Sequence, residues 1–434
     1  MKTSKFNIVI PMDTEDDYLI YNTLAQSHAV VDEEAKLLLE RLEESGELYG
    51  ESKEVIDELK RLEIVVDAGI DEDMELEYRF QKNKFDTSEL SVYILTTYAC
   101  NLKCVYCAQG GLESSVKMDM ETALRVSSWL SGMMDKVRPK KLSVVFYGGE
   151  PLLNKEAVKF LSELLSVAAI RRNIVMESSI ITNGALLDAG FVEGLIPLGL
   201  KGVRVTLDGD EYTHNSKRRF KNGRGTFDTI LNNLEKIKGK VPIYLNGNFD
   251  EGTKDSMPKL LDILKDRGFA GHIGSINFKP ILKNIESAVG GSSNCSEACT
   301  FSDISNVDDI LYLMRETEKR GFKSGINITL GPCDASREYS YSIDPKGMIY
   351  KCAGFVGRKE LAVGDLIKGV YTHRHTQFMT ADSWRGECKG CVYTPLCGGG
   401  CRTSAYVKYG DFRKVACDRP YFSTVSHELM KDAA

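Results

Sequence analysis
The chain has no run of about 18 apolar residues, the length a helix needs to cross a bilayer, so no membrane-spanning helix is expected. It has no basic excess either: 56 Lys and Arg stand against 62 Asp and Glu, a formal charge of -6. That balance excludes a global field for nucleic acid and leaves only local runs such as Lys217-Arg218-Arg219 to attract anions. No signal peptide is legible at the start. The apolar patch at residues 6–12 is short, contains Pro11, and is followed at once by Asp13, Glu15, Asp16 and Asp17. The expected compartment is the cytoplasm. No internal repeat is visible, and residues 1–88 contain no cysteine. The 12 cysteines all lie further on, in clusters. In a reducing compartment such clusters point to metal or redox sites before disulfides. The even number leaves a disulfide framework open by arithmetic, but the short spacings within each cluster argue against it.

With 434 residues, the chain can build a core of roughly 200 to 250 residues plus one or two modules. Its 42% apolar and 27% charged residues are ordinary for a soluble globular protein. Four zones are expected. Residues 1–88 read as a small α+β fold: extended pieces at 18–31, helices at 32–44 and 53–62, and an acidic linker at 71–77. Leu37, Leu38 and Leu42 share one face of the first helix. Residues 89–283 alternate apolar runs (91–96, 142–147, 174–181, 203–207, 243–249, 273–278) with helical patterns (120–136, 155–169, 226–238, 256–266). Such alternation predicts an α/β fold of parallel strands with right-handed crossovers, as a partial (β/α)6 barrel or an open sheet. Chemistry is then expected at the C-terminal ends of the strands. Residues 284–332 form a bridging region with one helix at 307–320. Residues 333–434 hold seven cysteines and few long apolar runs, a composition expected to need metal to fold.

Cys100, Cys104 and Cys107 directly follow the first strand of the alternating zone, spaced C-x3-C-x2-C. Three close thiolates can hold three irons of a cubane cluster, leaving the fourth iron open to a ligand. The alternative is a three-cysteine zinc site with a distant fourth ligand, although zinc loops more often use C-x2-C pairs. The segment Thr97-Tyr-Ala-Cys-Asn-Leu-Lys-Cys-Val-Tyr-Cys-Ala, with aromatic Tyr106 before the third cysteine, resembles the signature loop of the radical S-adenosylmethionine (SAM) superfamily. The resemblance implies a [4Fe-4S] cluster whose open iron chelates SAM. One electron would then cleave SAM to methionine and a 5′-deoxyadenosyl radical that abstracts hydrogen from substrate.

Three further segments extend the resemblance. Gly148-Gly149-Glu150-Pro151 ends the second strand, like the family's G-G-E-P segment, which implies contact with the SAM amino group. Ser179 to Thr182-Asn183-Gly184 ends the third and is similar to the family's T-N-G segment, with Ser179 a candidate for the SAM ribose or carboxylate; a plain Asn-Gly turn is the alternative. Asp208-Gly209, His214 and Arg218 follow the fourth. There the resemblance makes Arg218 the candidate for the SAM carboxylate, with Arg219 an alternative and His214 read as structural.

The C-terminal pattern is Cys333-x13-Gly347-x4-Cys352, then Cys388-x2-Cys391-x5-Cys397-x3-Cys401, then Cys417. It resembles the seven-cysteine pattern of the SPASM domain, an iron–sulfur extension of peptide-modifying radical SAM enzymes. That resemblance implies two auxiliary [4Fe-4S] clusters, three in all with the SAM cluster. The first would use Cys333, Cys352 and Cys401, and the second Cys388, Cys391, Cys397 and Cys417. Zinc on Cys388-x2-Cys391 is the alternative. The fourth ligand of the first auxiliary cluster is open: Cys295 or Cys299 closes it, or the site binds a substrate thiolate, or both cysteines are free thiols.

Residues 18–24, Tyr-Leu-Ile-Tyr-Asn-Thr-Leu, followed by a helix, resemble the winged-helix-like leader-recognition segment of many peptide maturases, which binds a precursor's leader as an added strand. The acidic character of residues 32–77 argues against nucleic acid. The implied activity is modification of a ribosomally made precursor peptide, by a thioether or carbon–carbon crosslink. The alternatives are maturation of a protein side chain, as in anaerobic sulfatase-maturing enzymes, and a non-catalytic iron–sulfur or zinc protein. The implied partners are the precursor peptide and an electron donor such as ferredoxin or flavodoxin. No residue stands out as catalytic acid or base, and oligomeric state is not legible.

Overall fold
The computed structural model describes the chain apart from residues 15, 46–52, 108–111, 114, 282–305, 326–330, 332 and 434. Cys295 and Cys299 lie outside the described residues.

The N-terminal region runs β1 (Lys2–Thr3), β2 (Asn7–Pro11), β3 (Asp17–Asn22), β4 (Ser27–Asp32), α1 (Glu33–Ser45), α2 (Lys53–Arg61), β5 (Val65–Val66) and α3 (Glu72–Lys84). β2, β3 and β4 form an antiparallel sheet in sequence order, with β4 on one edge, and β1 pairs with β5. Ile20 of β3 packs with Leu39 and Leu42 of α1 and Leu59 of α2. The acidic stretch at 71–77 is not a linker. Asp71 accepts hydrogen bonds from the backbone N–H groups of Asp73 and Met74 and caps α3, which buries Leu76 and Phe80. Acidic side chains are favoured at the positive N-terminal end of a helix, so this charge run starts one.

The central region runs β6 (Glu89–Leu95), β7 (Leu102–Cys104), α4 (Met120–Val137), β8 (Lys141–Tyr147), α5 (Lys155–Ile170), β9 (Val175–Thr182), α6 (Ala189–Leu195), β10 (Leu200–Thr206) and α7 (Glu211–Lys217). It continues through β11 (Arg218–Phe220), α8 (Phe227–Ile237), β12 (Ile243–Phe249), α9 (Ser256–Asp266), β13 (Ile273–Pro280) and α10 (Val307–Lys319). β6, β8, β9, β10, β12 and β13 lie side by side in that order, every pair parallel. Each crossover therefore returns on the same side, which puts the helices on one face of a curved α/β sheet. No pairing among the described residues joins β13 back to β6.

One set of alternate strand residues is sealed against the helices, among them Val92, Ile94, Val144, Phe146, Ile180, Val203 and Leu245. The other set, such as Tyr93, Ser179, Arg204, Tyr244, Asn246 and Asn277, is only half-buried. The inner face of the sheet is thus polar and accessible, unlike the packed interior of a closed (β/α)8 barrel.

The C-terminal region adds β14 (Ser340–Ile343), β15 (Met348–Tyr350), β16 (Gly364–Asp365), β17 (Gly369–Val370), α11 (Thr372–Met379), α12 (Thr394–Cys397), α13 (Arg402–Tyr409), α14 (Arg419–Phe422) and α15 (Val425–Ala433). β14 pairs parallel with β6 on the side away from β8, and β15 to β17 continue antiparallel, making ten strands in one sheet. Contrary to the expectation of a core-poor segment, Tyr341, Ile343, Ile349, Phe355, Phe378 and Val425 belong to the main hydrophobic core. The reason is β14: once it extends the central sheet, its neighbours share the central core.

The N-terminal region rests on this C-terminal part. Ile8, Ile10, Leu19 and Tyr21 pack against Tyr393, Leu396 and Met430, while Phe6, Leu24 and Phe80 surround Trp384. The Thr23 hydroxyl donates to the Val392 carbonyl at 2.6 Å. Buried Lys84 pairs with Asp382 and donates to the Met379 carbonyl at 2.9 Å. Among the described residues no helix is long and apolar enough to cross a membrane.

Candidate active site and cysteine centres
The Cys100–Cys107 loop leaves the C-terminal end of β6 and is pinned on two sides. Its short strand β7 pairs antiparallel with β11, which sets Arg218 directly opposite Cys104. On the other side, the Gly148 and Gly149 N–H region meets the loop's own backbone: Gly149 N donates to Thr97 O at 2.9 Å and Glu150 N to Ala99 O at 2.8 Å. A Cβ on Gly148 would overlap Thr97 O, and its φ of +142° disfavours any other residue. The close approach these glycines permit is therefore to the cysteine loop itself.

Glu150 is wholly buried. Its Oε1 accepts from Thr182 Oγ1 at 2.6 Å and Leu152 N at 3.0 Å, and its Oε2 accepts from Asn183 N at 2.7 Å. Burial pushes its pKa up, while these hydrogen bonds and the Arg218 charge pull the other way. The carboxylate expected to meet an ammonium group is thus the strut that ties the end of β8 to the end of β9. Asn183 extends the link: its Nδ2 donates to Asn101 Oδ1 at 2.8 Å and lies 3.8 Å from Cys100 Sγ. Ser179 lies two rows deeper on the inner face of β9, half-buried, between Val145 and Gly202.

Buried Tyr106, Asp208 and Arg218 form a group with half-buried Asn248 beside the loop. Tyr106 Oη donates to Asp208, and accepts from Arg218 Nη1 at 2.7 Å and from Asn248 Nδ2 at 3.1 Å. Arg218 Nη1 is 3.8 Å from Asp208 Oδ2. His214 supports this group from behind: Asp208 N–H donates to its Nδ1 at 3.1 Å, which leaves Nε2 as the protonated nitrogen facing Thr226 Oγ1 at 2.9 Å. Burial first, and the Arg218 charge second, hold the His214 pKa well below its usual value, so it stays neutral. Arg219, the alternative arginine, instead bonds the Asn215 carbonyl at 2.8 Å on the surface. Asp208 and Asn248 were not singled out from the sequence as site residues. For Asp208 the signal is the Asp208-Gly209 pair that closes a strand just before His214 and Arg218; for Asn248 the sequence offers none.

The ten described cysteines are free of disulfides. They fall into three neighbourhoods defined by mutual electrostatic influence. Burial pushes the Cys104 thiol up to about 11, with Cys100 and Cys107 adding to the rise and Arg218 opposing it. Cys333 is raised by burial and then by Cys401 and Cys352. Cys388 is raised to about 11 by burial, then Cys391 and Cys417, and Cys397 to about 12 by burial, then Asp418, with Cys388 adding to the rise. Among the described residues no three His, Cys, Asp or Glu side chains converge tightly enough to grip a single ion. Cubane cysteines each bind a different iron, so they surround a volume and need not meet at one point.

The donor chemistry fits a cluster and an anionic ligand at the first neighbourhood. Thiolates are soft ligands suited to iron–sulfur centres. Two buried N–H donors flanking the loop, Asn101 Nδ2 and Arg218 Nε, have no hydrogen-bond partner, an arrangement that calls for an acceptor at the site. The third neighbourhood is shaped by Gly398-Gly399-Gly400, all at positive φ. A Cβ on Gly400 would overlap Ala416 O, so the chain between Cys397 and Cys401 passes against the segment bearing Cys417 only as glycine. Buried Arg402 stitches that turn through the Gly399 and Gly400 carbonyls.

The model of the Radical SAM superfamily matches residues 94–267. The chain carries a radical SAM domain. Such a domain implies a [4Fe-4S] cluster and SAM. Among curated relatives, the chain is 26% identical over 245 residues to Fe-coproporphyrin III synthase of Methanosarcina barkeri, covering 56% of each chain. The chain thus spans little more than half the length of that relative. It is 23% identical to the PqqA peptide cyclase of Granulibacter bethesdensis, over 78% of this chain and 88% of the relative. It is 24% identical to the cysteine-type anaerobic sulfatase-maturating enzyme of Clostridium perfringens, over 70% and 86%. Among solved structures, native anSMEcpe with bound AdoMet and Kp18Cys peptide superposes with a TM-score of 0.62 at 21% identity, over 80% of this chain and 99% of that one. Streptococcus suis SuiB bound to precursor peptide SuiA superposes with a TM-score of 0.53 at 15% identity, over 96% and 98%. At these identities the two superpositions speak to the fold.

Proposed function
We propose that the protein is a radical SAM maturase of a ribosomally made precursor peptide, forming a thioether or carbon–carbon crosslink. In this reading Cys100, Cys104 and Cys107 hold the SAM cluster. Cys333, Cys352 and Cys401 hold one auxiliary cluster, and Cys388, Cys391, Cys397 and Cys417 the other. When bound, the cluster and SAM supply a 5′-deoxyadenosyl radical for hydrogen abstraction. The protein's own work is positional. Glu150 and Asn183 fix the cysteine loop against the strand ends, and Arg218 and Tyr106 present a cation and a hydroxyl beside it. The polar inner face of the sheet offers the surface along which a peptide lies. Reduction is assigned to a small donor of the ferredoxin or flavodoxin kind.

The single observation that carries this reading is the placement of the C-x3-C-x2-C thiols. They sit at the C-terminal end of the first parallel strand, within the matched domain and beside two unsatisfied buried donors. The peptide substrate is supported by the breadth of the likeness to SuiB, which takes in 96% of this chain against 80% for anSMEcpe. The N-terminal region, with β4 on a sheet edge, suits capture of a leader by strand addition. The likeness to the sulfatase-maturating enzyme favours a second reading, maturation of a protein side chain. The test is anaerobic purification, cluster reconstitution, reduction and assay of 5′-deoxyadenosine beside a Cys100/Cys104/Cys107→Ala variant. Product from the wild type alone supports the proposal, whereas zinc in place of iron with no product overturns it.

A further inference from the structure
The inner face of the sheet is electrostatically lopsided. Toward β6, β8 and β9 its charges are paired: Lys141 lies 3.3 Å from Glu89 and 3.2 Å from Glu177, and Arg337 reaches Glu89 at 3.7 Å. Within β10, β12 and β13 the same face carries the cations Arg204 and Lys279 with Tyr244, Asn246, Ser275 and Asn277, and no carboxylate; Lys279 is in register with Asn248 at the C-terminal end. Arg204 Nη1 donates to Asn246 Oδ1 at 3.2 Å, and its guanidinium stands 5.5 Å from the centroid of the Tyr244 ring. No carboxylate among the described residues forms an ion pair with it. The ring itself is laid flat between two glycines on the flanking strands. A Cβ on Gly202 would come within 2.7 Å of it and one on Gly274 within 2.8 Å.

Arg204 is therefore a half-buried cation with a fixed orientation and uncommitted donors. A guanidinium has five N–H groups, Asn246 engages one, and none of the others is sealed away from solvent without a partner. Register places it relative to the candidate active site. Thr206 pairs with Asn246, and Asn248, two residues further along β12, donates to both Tyr106 and Asp208. Two residues along a strand are about 7 Å, so Asn246 lies one row beneath the Tyr106–Asp208 group, and Arg204, in register with Tyr244 two rows beneath, reaches up to Asn246.

We propose that Arg204, oriented by Asn246 and backed by Tyr244, is the anchoring subsite for a carboxylate of the substrate peptide, carried by an Asp or Glu side chain near the residue modified. A planar guanidinium takes a carboxylate through two parallel hydrogen bonds, which fixes orientation as well as charge. The assignment rests on the peptide-maturase reading above. SAM also carries a carboxylate, so the test separates the two sources.

The reconstituted full-length enzyme with SAM is titrated by fluorescence anisotropy with two labelled, C-terminally amidated peptides, Gly-Ala-Glu-Ala-Gly-Ala and its Gln counterpart, so that the side chain is the only carboxylate that differs. The Glu peptide is expected to bind about tenfold tighter, the usual advantage of a charge-assisted pair. Arg204→Gln abolishes that preference and leaves the Gln peptide, SAM affinity and iron content unchanged; Arg204→Lys restores part of it. Equal binding of both peptides to the wild type overturns the proposal. So does a loss of SAM affinity in Arg204→Gln with the peptide preference intact, because the carboxylate is then SAM's own. Formation of 5′-deoxyadenosine in the same wild-type preparation reads the maturase proposal separately.

Discussion
Replacing Glu150 with Gln isolates the role of one buried carboxylate. Three donors converge on its two oxygens: Thr182 Oγ1 at 2.6 Å, Asn183 N at 2.7 Å and Leu152 N at 3.0 Å. Glutamine keeps one acceptor oxygen and turns the other into an NH2 group that faces a donor. In either orientation a buried N–H loses its acceptor, at a cost of about 1–3 kcal/mol, and the surviving bonds lose their charge assistance, about 1 kcal/mol more. The side chain is wholly buried, so no solvent screening reduces these figures. The sum, roughly 2–4 kcal/mol, corresponds to a fall in melting temperature of roughly 5–15 °C for a domain of this size. Thr182→Val removes one of the three bonds to Glu150 and also the acceptor of the buried Gly184 N–H at 3.0 Å, so it is expected to cost about 1–3 kcal/mol while leaving two donors on the carboxylate. The assay is thermal unfolding of both variants under anaerobic conditions, with SAM affinity measured in parallel. If Glu150→Gln melts with the wild type while SAM affinity collapses, the carboxylate is a ligand contact and the strut argument is wrong.

Other perturbations follow from the same geometry. Gly400→Ala places a Cβ onto Ala416 O at a φ of +81°, so the Cys397–Cys401 turn cannot close beside Cys417, and iron should fall by about four or more per chain relative to the wild type; an iron content equal to the wild type's would refute this. Deleting residues 1–85 strips the cover from Tyr393, Leu396 and Trp384 and leaves Asp382 without Lys84, so the truncated chain should aggregate or bind less iron than the full chain. A soluble, fully loaded truncation would show that the contact is dispensable. His375, whose pKa burial and then the Lys351 and Lys136 charges hold at about 4, gives a pH dependence. The unfolded chain takes up a proton near pH 6.5 and the folded one only near pH 4, so stability falls as pH drops through that window. The wild type should therefore lose more melting temperature between pH 7.5 and 5 than His375→Gln, and parallel curves would count against it.

Much of the fold is legible in the sequence. The six parallel strands and four of their five crossover helices follow from apolar alternation, because a strand's two faces and a helix's one stripe leave periods that a short window detects, whereas the seven-residue α6 is too short to show one. The cysteine loop at the end of the first strand was equally plain, since thiols at fixed spacing are a local signal. The acidic run before α3 misled, because charge at a helix start and charge in a linker look alike until a cap is seen. What sequence could not decide was everything made by distant segments meeting. Glu150 became a strut only because β8 and β9 bring it to Asn183. The C-terminal region joined the central core only because β14 pairs with β6, 246 residues separating Tyr98 from the Asp344 carboxylate to which it donates at 2.6 Å. Arg204 acquired meaning only when register set it over Tyr244, beneath Asp208, with no acid opposite. Local periodicity fixes elements, whereas which side chains face each other across a sheet depends on strand order and register, and those are set by the whole chain folding at once.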